Sequence, residues 1–307
     1  MPDTFIALKQ LANHHRNQLQ VNGKRLPVIG LTGTNGKTTT KELLRRVLAT
    51  TYKVSATEGN LNNDIGVPLT LLKIRPGTEL AVVEMGANHP DDILHLVEVC
   101  EPDFGLITNV GKAHLLGFGS FEGVKAAKGE LYKYLSSRNG SVVFLNNDDP
   151  ELRSMSVEWV KSHIWPYGVR YDGARVLETS PQKPFLRIRL KDGTTVCTNL
   201  VGSYNASNVM AALAIGRYFG VPDADAVAAV QEYVPKNNRS QLQRSACNTL
   251  IVDAYNANPT SMGAALDNFG AMNAASKLAL LGDMRELGTD SVAEHVRILS
   301  LIPKGTE

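Results

Sequence analysis

Short apolar runs alternate along most of the chain with longer stretches that carry an apolar residue every three or four positions. The runs at 27–32, 80–85 ("LAVVEM"), 104–109 ("FGLITN") and 141–145 ("SVVFL") are apolar along most of their length. Strands buried on both faces have this character. Between them the spacing predicts helices over 37–49, 90–99 and 121–136. Such alternation indicates βαβ units: a P-loop-type α/β fold with a mostly parallel sheet flanked by helices. Ahead of it, Phe5, Leu8, Leu11, Ala12 and Leu19 form a helical stripe over 5–19 that breaks at "VNGKRLP".

The pattern changes over 169–201, where period-two alternation on either side of Asp192-Gly193 predicts a hairpin, and so a small antiparallel patch. Helical spacing resumes at 205–219 and 222–233. The polar stretch "VPKNNRSQ" (234–241) suits a domain junction. Beyond it a strand over 249–254, a helix over 259–272, a strand over 277–281 and a helix over 290–301 are expected. That is a thin sheet for an independent α/β domain. The expected division is 1–24 (a linker helix), 25–235 (a central unit) and 236–307 (a partial, Rossmann-like C-terminal unit).

Length and composition agree with two units, since 307 residues exceed the usual size of one domain. At 43% hydrophobic and 20% charged residues the chain reads as globular, and a net charge of +2 gives no nucleic-acid footprint. Cys100, Cys197 and Cys247 are far apart and odd in number, which suits buried thiols in a reducing compartment better than disulfides or zinc. The N-terminus lacks the apolar core of a signal peptide, and no run approaches the length of a membrane span. A cytoplasmic monomer acting on small molecules, with no nucleic-acid or membrane partner, is the expectation.

Chemistry concentrates first in "VIGLTGTNGKTTTKELL", Val28 to Leu44. An apolar strand runs into Gly33, Thr34, Asn35 and Gly36, then Lys37, Thr38 and Thr39 open a helix. Glycines let the backbone approach an anion, and the first helical N–H groups point at it. Lys37 offers a compact charge for phosphates and Thr38 a hydroxyl for Mg²⁺. The spacing differs from the common G-x-x-x-x-G-K-[ST] loop, because Leu31 stands where its first glycine would. The bland reading is a tight strand–helix turn with a solvated lysine. A GTPase is disfavoured by the lack of an [NT]-K-x-D segment.

Further along, each candidate has a functional and a plain reading. Glu84 ends a strand on the rim where ligands bind, or is a capping or surface carboxylate. His114 in "TNVGKAHL" is a metal ligand or a structural histidine. Lys128 in "GVKAAKGEL" reads locally as a solvent-facing helix lysine. Asn205 and Asn208 in "GSYNASNVMAALA" could read a base edge or belong to a helix start. Asp148 or Asp149 in "LNNDDP" could cap a helix, and Arg239 could be a solvated junction residue. Asp253 ends a strand, while Asn256, Asn258 and Ser261 could form only a turn and N-cap.

The shortened loop G-T-N-G-K-T resembles the ATP site of the Mur ligase and folylpolyglutamate synthetase superfamily. The resemblance runs from about residue 3 to residue 298. It implies that Thr38 and Glu84 hold one Mg²⁺, that His114 holds a second, and that a carbamylated Lys128 completes the second site. It further implies that Asn205 and Asn208 flank adenine, Arg239 reaches an ATP phosphate and Asp253 contacts the ribose. "EMGANHPDDI" and "DAYNANPTSM…LLGDMRELG" are similar to the member that adds D-alanyl-D-alanine to UDP-N-acetylmuramoyl-tripeptide through an acyl phosphate, in peptidoglycan precursor synthesis. Lys37, Lys128 and His114 would be its catalytic groups. That member also has an N-terminal UDP-binding domain and a longer C-terminal domain. The expectation is therefore an intact ATP-binding core with ligase turnover as the open point. The alternatives are a non-catalytic ATP-binding module and a folylpolyglutamate synthetase-like ligase.

Overall fold

The computed structural model describes residues 3–179, 184–236, 238–272, 274 and 276–306. Position 237 of the junction thus lies outside the described residues. A two-residue hairpin, β1 (Gln20–Val21) and β2 (Lys24–Arg25), follows the helix Thr4–Gln18. Six parallel strands then form one sheet: β3 (Val28–Thr32), β4 (Val54–Ala56), β5 (Leu80–Glu84), β6 (Phe104–Ile107), β7 (Val142–Asn146) and β8 (His163–Tyr167). Their spatial order is β4-β5-β3-β6-β7-β8. The chain leaves β3 towards one edge, returns, and skips past β3 to reach β6. The C-terminal end of β3 is therefore the switch point, where a crevice opens in sheets of this kind.

Alternate residues of the central strands serve two cores. Val28, Val83 and Ile107 pack on one face with Ile93, Leu96, Leu131 and Met155. Ile29, Leu31, Val82 and Phe144 pack on the other with Leu43, Val47, Val209 and Leu213. Burial on both sides explains why these runs show no polar alternation. The antiparallel patch is β9 (Arg175–Val176), β10 (Phe185–Arg189) and β11 (Thr195–Val201); its Leu186, Ile188 and Val196 close the second core.

Several expectations need correction. β4 and β8 were not anticipated, because β4 has only three residues and "HIWPY" contains a proline. The proline fits because β8 is an edge strand. In the C-terminal unit, β12 (Gln241–Arg244) pairs antiparallel with β13 (Thr249–Val252). The stretch 277–281 is not a strand: only Lys277 makes an isolated bridge, to Thr306. A strand needs hydrogen-bonding neighbours, and among the described residues none lies beside 278–281, whose Leu278 and Leu280 stay exposed. Of the cysteines only Cys100 is buried. Cys197 occupies an outward position on β11, and Cys247 sits in the turn of the β12–β13 hairpin.

The N-terminal helix is also held differently from its sequence stripe, since Phe5 and Leu11 are exposed. Its anchor is Arg16, fully buried, which donates to the Cys100 carbonyl at 3.0 Å and to Asp103 Oδ2 at 3.2 Å. Asp103 also accepts from Arg25 at 2.9 Å and from the Val28 N–H at 3.0 Å, tying helix, hairpin and sheet together. Removing Asp103, itself partly exposed, leaves the fully buried Arg16 charge without its carboxylate. Asp103→Ala is expected to cost about 3 kcal/mol in a urea titration, and a change within error would show that the pair is not what holds the helix.

Candidate functional site

The loop between β3 and the helix Lys37–Leu48 sits at the switch point, and two glycines make its path possible. Gly33 has φ +143°, and a Cβ there would lie 2.0 Å from Thr108 Oγ1. Gly36, at φ +80°, caps the helix and faces the Asn208 amide. The segment after β6 clamps the loop from the side. Thr108 Oγ1 donates to the Asn35 carbonyl at 2.6 Å, and the Thr34 N–H donates to the Asn109 carbonyl at 3.0 Å. No side chain caps this helix, so its first N–H groups face the cavity as an anion receptor.

Lys37 folds back onto its own loop, with Nζ 2.6 Å from the Gly33 carbonyl and 3.1 Å from that of Thr34. Burial pushes its ammonium pKa down; Glu84 opposes that shift and Arg239 adds to it. Beneath the loop, Glu84 ends β5 with 1% exposure. Its Oε1 accepts from Thr38 Oγ1 at 3.1 Å and from Asn62 Nδ2 at 2.8 Å. Its Oε2 is buried without a hydrogen-bond partner, and Lys41 Nζ stands 3.8 Å away.

A cavity of about 340 Å³ opens above these groups. Its near wall includes Thr34, Asn35, Gly36, Lys37, Thr39, Glu84 and His114. Its far wall comes from the second unit, with Arg239, Asp253, Tyr255 and Asn258. The Arg239 guanidinium lies 3.7 Å from the Tyr255 ring centroid, a cation–π stack that fixes its plane. Asp253 accepts from the Ser240 N–H at 3.3 Å and from Tyr204 OH at 3.2 Å. Asn258 forms a capping box with Ser261, and its amide pairs reciprocally with that of Asn35 at 2.8 and 3.3 Å. The plain reading of Asn258 and Ser261 as a helix cap therefore holds alongside the contact across the cavity.

Asn205 and Asn208 also reach the cavity wall, but their amides are engaged within the protein. Asn205 Nδ2 donates to the Val201 carbonyl at 2.9 Å. Asn208 Nδ2 donates to Asn205 Oδ1 at 2.9 Å, and Asn208 Oδ1 accepts from Thr40 at 3.1 Å. Gly33 and Thr38 lie just behind the lining, as backbone hinge and Glu84 partner. Asp149 caps the helix Pro150–Trp159, as its plain reading had it.

Lys128 departs from its local reading, because it is 2% exposed rather than solvent-facing. It is set back from the cavity wall, with its ammonium 5.5 Å from the Phe118 ring centroid. Burial, helped by the Lys37 charge, brings its pKa down to about 7 against the pull of Asp92 and Glu130. His114 adopts φ 52° and turns Nδ1 towards Glu286 Oε2.

A hard divalent cation fits the Thr38–Glu84 corner. Both ligands are oxygens, and the unpartnered Oε2 is an acceptor that a cation would satisfy. Among the described residues no three His, Cys, Asp or Glu side chains converge. A cation here would thus take most of its ligands from water and phosphate, as Mg²⁺ does.

This geometry coincides with a match to known proteins. The Mur ligase middle domain matches residues 31–216, and the Mur ligase glutamate ligase domain matches 238–306. The chain belongs to the Mur ligase family. Among its relatives, UDP-N-acetylmuramoyl-tripeptide–D-alanyl-D-alanine ligase of Bacillus subtilis is 37% identical over 290 residues, covering 93% of this chain and 61% of that protein. A crystal structure of MurF from Acinetobacter baumannii superposes with a TM-score of 0.85 at 34% identity, covering 96% of this chain and 64% of that one. MurF ligase from Thermotoga maritima in complex with ADP also gives 0.85, at 25% identity, covering all of this chain and 74% of that one. The chain thus spans about three-fifths of the length of the Bacillus and Acinetobacter proteins.

For this Mur ligase core, the sequence reading missed the groups that hold Glu84 in place. Lys41 is fully buried four residues after Lys37, which a helical register could have signalled. Asn62 and Thr57, whose Oγ1 accepts the Glu84 N–H at 3.0 Å, come from a loop with no periodic signal. Gly33→Ala should cost about 2 kcal/mol through overpacking against Thr108. A melting curve identical to that of the unmodified protein would show that the loop has room for a methyl group.

Proposed function

We propose that the chain is the nucleotide-handling core of an ATP-dependent, ADP-forming ligase that joins D-alanyl-D-alanine to UDP-N-acetylmuramoyl-tripeptide. The observation that carries this reading is the Lys37–Thr38–Glu84 corner beneath an uncapped helix start, with Arg239 facing it across the cavity. The names of the relatives supply the substrates and favour this ligase over a folate-extending one. Residues 25–235 are assigned to the central unit, 236–307 to the C-terminal unit and 1–24 to a linker.

In this reading the tripeptide carboxylate attacks the γ-phosphorus of ATP and ADP leaves with the electrons of the broken P–O bond. The dipeptide amine then adds to the acyl carbonyl, loses its proton, and phosphate departs. Lys37 offsets charge on the transferred group once it turns from its loop carbonyls to phosphate. Thr38 and Glu84 would hold one Mg²⁺, and His114 with Lys128 a second; the cations neutralise phosphate charge. A pKa near 7 leaves part of Lys128 as free amine, the form that adds CO₂ to give a carbamate. Asn205 and Asn208 would shape the adenine wall, and Asp253 would meet the ribose.

A second reading, nucleotide binding without ligation, would need only the phosphate-side groups of the cavity, Lys37, Thr38, Glu84 and Arg239. ADP release that requires both the UDP-tripeptide and D-alanyl-D-alanine supports the ligase; binding without such release supports the module. For either reading, calorimetry should detect Mg-ATP binding, weakened at least about tenfold in Lys37→Ala, the loss of one charge-assisted contact. No heat of binding would sink both. Protein equilibrated with ¹³C-bicarbonate should show a carbamate carbon that Lys128→Ala lacks, and its absence from the unmodified protein would remove the carbamate.

A further inference from the structure

The segment 282–288, "GDMRELG", marks the family in the sequence but has had no task assigned to it. In the structure it reaches across the boundary between the two units to the turn that carries His114. Met284 and Leu287, each 2% exposed, join the same core cluster as Leu115 and Phe118. The Met284 N–H donates to His295 Nε2 at 3.1 Å, which ties the segment to the helix Ser291–Ser300. Between these anchors stands Glu286, at φ 61°. Its carbonyl accepts the Leu116 N–H at 3.0 Å, and its carboxylate Oε2 meets His114 Nδ1.

Two residues that are not glycine, His114 and Glu286, thus face each other in left-handed backbone conformations, one from each unit. Such conformations are costly and persist only where surrounding contacts enforce them. Here the enforcing contacts are mutual: one backbone bond and one side-chain bond from the same residue. The nearby Lys112–Glu294 ion pair, at 2.6 Å with Glu294 buried, holds the same boundary.

We propose that Glu286 is a positioning residue for His114, selecting the ring tautomer that can bind a divalent cation. An ionised carboxylate offers only acceptors, so the ring nitrogen it meets must carry the hydrogen. A neutral imidazole has one N–H, so placing it on Nδ1 leaves the Nε2 lone pair free. Ligating histidines elsewhere are commonly fixed through a carboxylate on the other ring nitrogen, and losing that partner weakens metal binding about 10- to 100-fold. The ligand would belong to the central unit and its orienter to the C-terminal unit. The second-cation site is then complete only when the units are docked. This inference rests on the reading of His114 as a cation ligand given above.

The test uses the full chain and reads the ring directly. Glu286 is 53% exposed in its side chain, so truncating it leaves no buried hole. Nitrogen-15 NMR of the imidazoles, at a pH above the ordinary histidine range and with His114 assigned by its loss in His114→Ala, should show the Nδ1–H tautomer. Glu286→Gln, whose amide can donate as well as accept, should relax the selection and give a mixture of tautomers, and Glu286→Ala should lose the preference for Nδ1–H. Electron paramagnetic resonance with Mn²⁺ and ADP should show one Mn²⁺ weakened about 10-fold or more in Glu286→Ala. Affinity for ADP alone should stay unchanged. An Nε2–H tautomer in the unmodified protein, an unaltered tautomer in Glu286→Ala, or unaltered Mn²⁺ binding would each overturn the proposal. If ADP fails to bind at all, the nucleotide reading fails instead, and the tautomer of the free protein still judges Glu286.

Discussion

A carboxylate with almost no solvent exposure, Glu84, sets the terms for the rest of the site. Burying it in a sheet interior would be prohibitively costly unless charge and hydrogen bonds surround it. The fold meets that demand with Thr38 on the helix, Asn62 from the loop after β4, and the Lys41 ammonium from one helical turn below, while Thr57 accepts the Glu84 backbone N–H. Three of these approach atoms that the carboxylate would otherwise leave bare, yet Oε2 still lacks a hydrogen bond. The arrangement is thus tight on one oxygen and open on the other. An incoming cation would complete an existing shell, with little need to rearrange it.

The boundary between the two units is polar where the cavity lies. Asn35 meets Asn258, Lys112 meets Glu294, and Glu286 meets His114. Polar contacts between units exchange readily for water, so such boundaries permit relative motion more easily than apolar ones do. Away from the cavity the boundary is apolar, because the core on one face of the sheet runs on into the C-terminal unit through Leu266, Met284, Leu287 and Ile298. The boundary thus combines exchangeable polar contacts at the cavity with an apolar anchor beside it.

Much of the fold was legible because parallel strands buried on both faces leave unbroken apolar runs, and β3, β5, β6 and β7 all did so. β4 and β8 were not, since three residues or an internal proline erase that signal. The 277–281 run shows the opposite failure: apolar residues satisfy the pattern, but a strand exists only where another strand accepts its bonds. In the site, the loop and Glu84 could be found from local order, strand then turn then Gly-Lys-Thr. The burial of Lys128 could not, because small neighbours such as Ala126 and Ala127 read equally well on a helix surface. Nor could the link between His114 and Glu286, which are 172 positions apart and meet only through the docking of the two units.

The buried Arg16 has a mechanical consequence. Its guanidinium bolts the N-terminal helix to the loop that precedes β6, at the end of the sheet away from the cavity. Fifteen helical residues span about 22 Å, so the helix is a stiff arm set at a fixed angle to the sheet. A fluorophore or tether attached near Thr4 would report the orientation of the sheet itself, with little independent swivel. Tension applied there would be borne by the Arg16–Asp103 bolt before it reached the loop between β3 and the helix Lys37–Leu48.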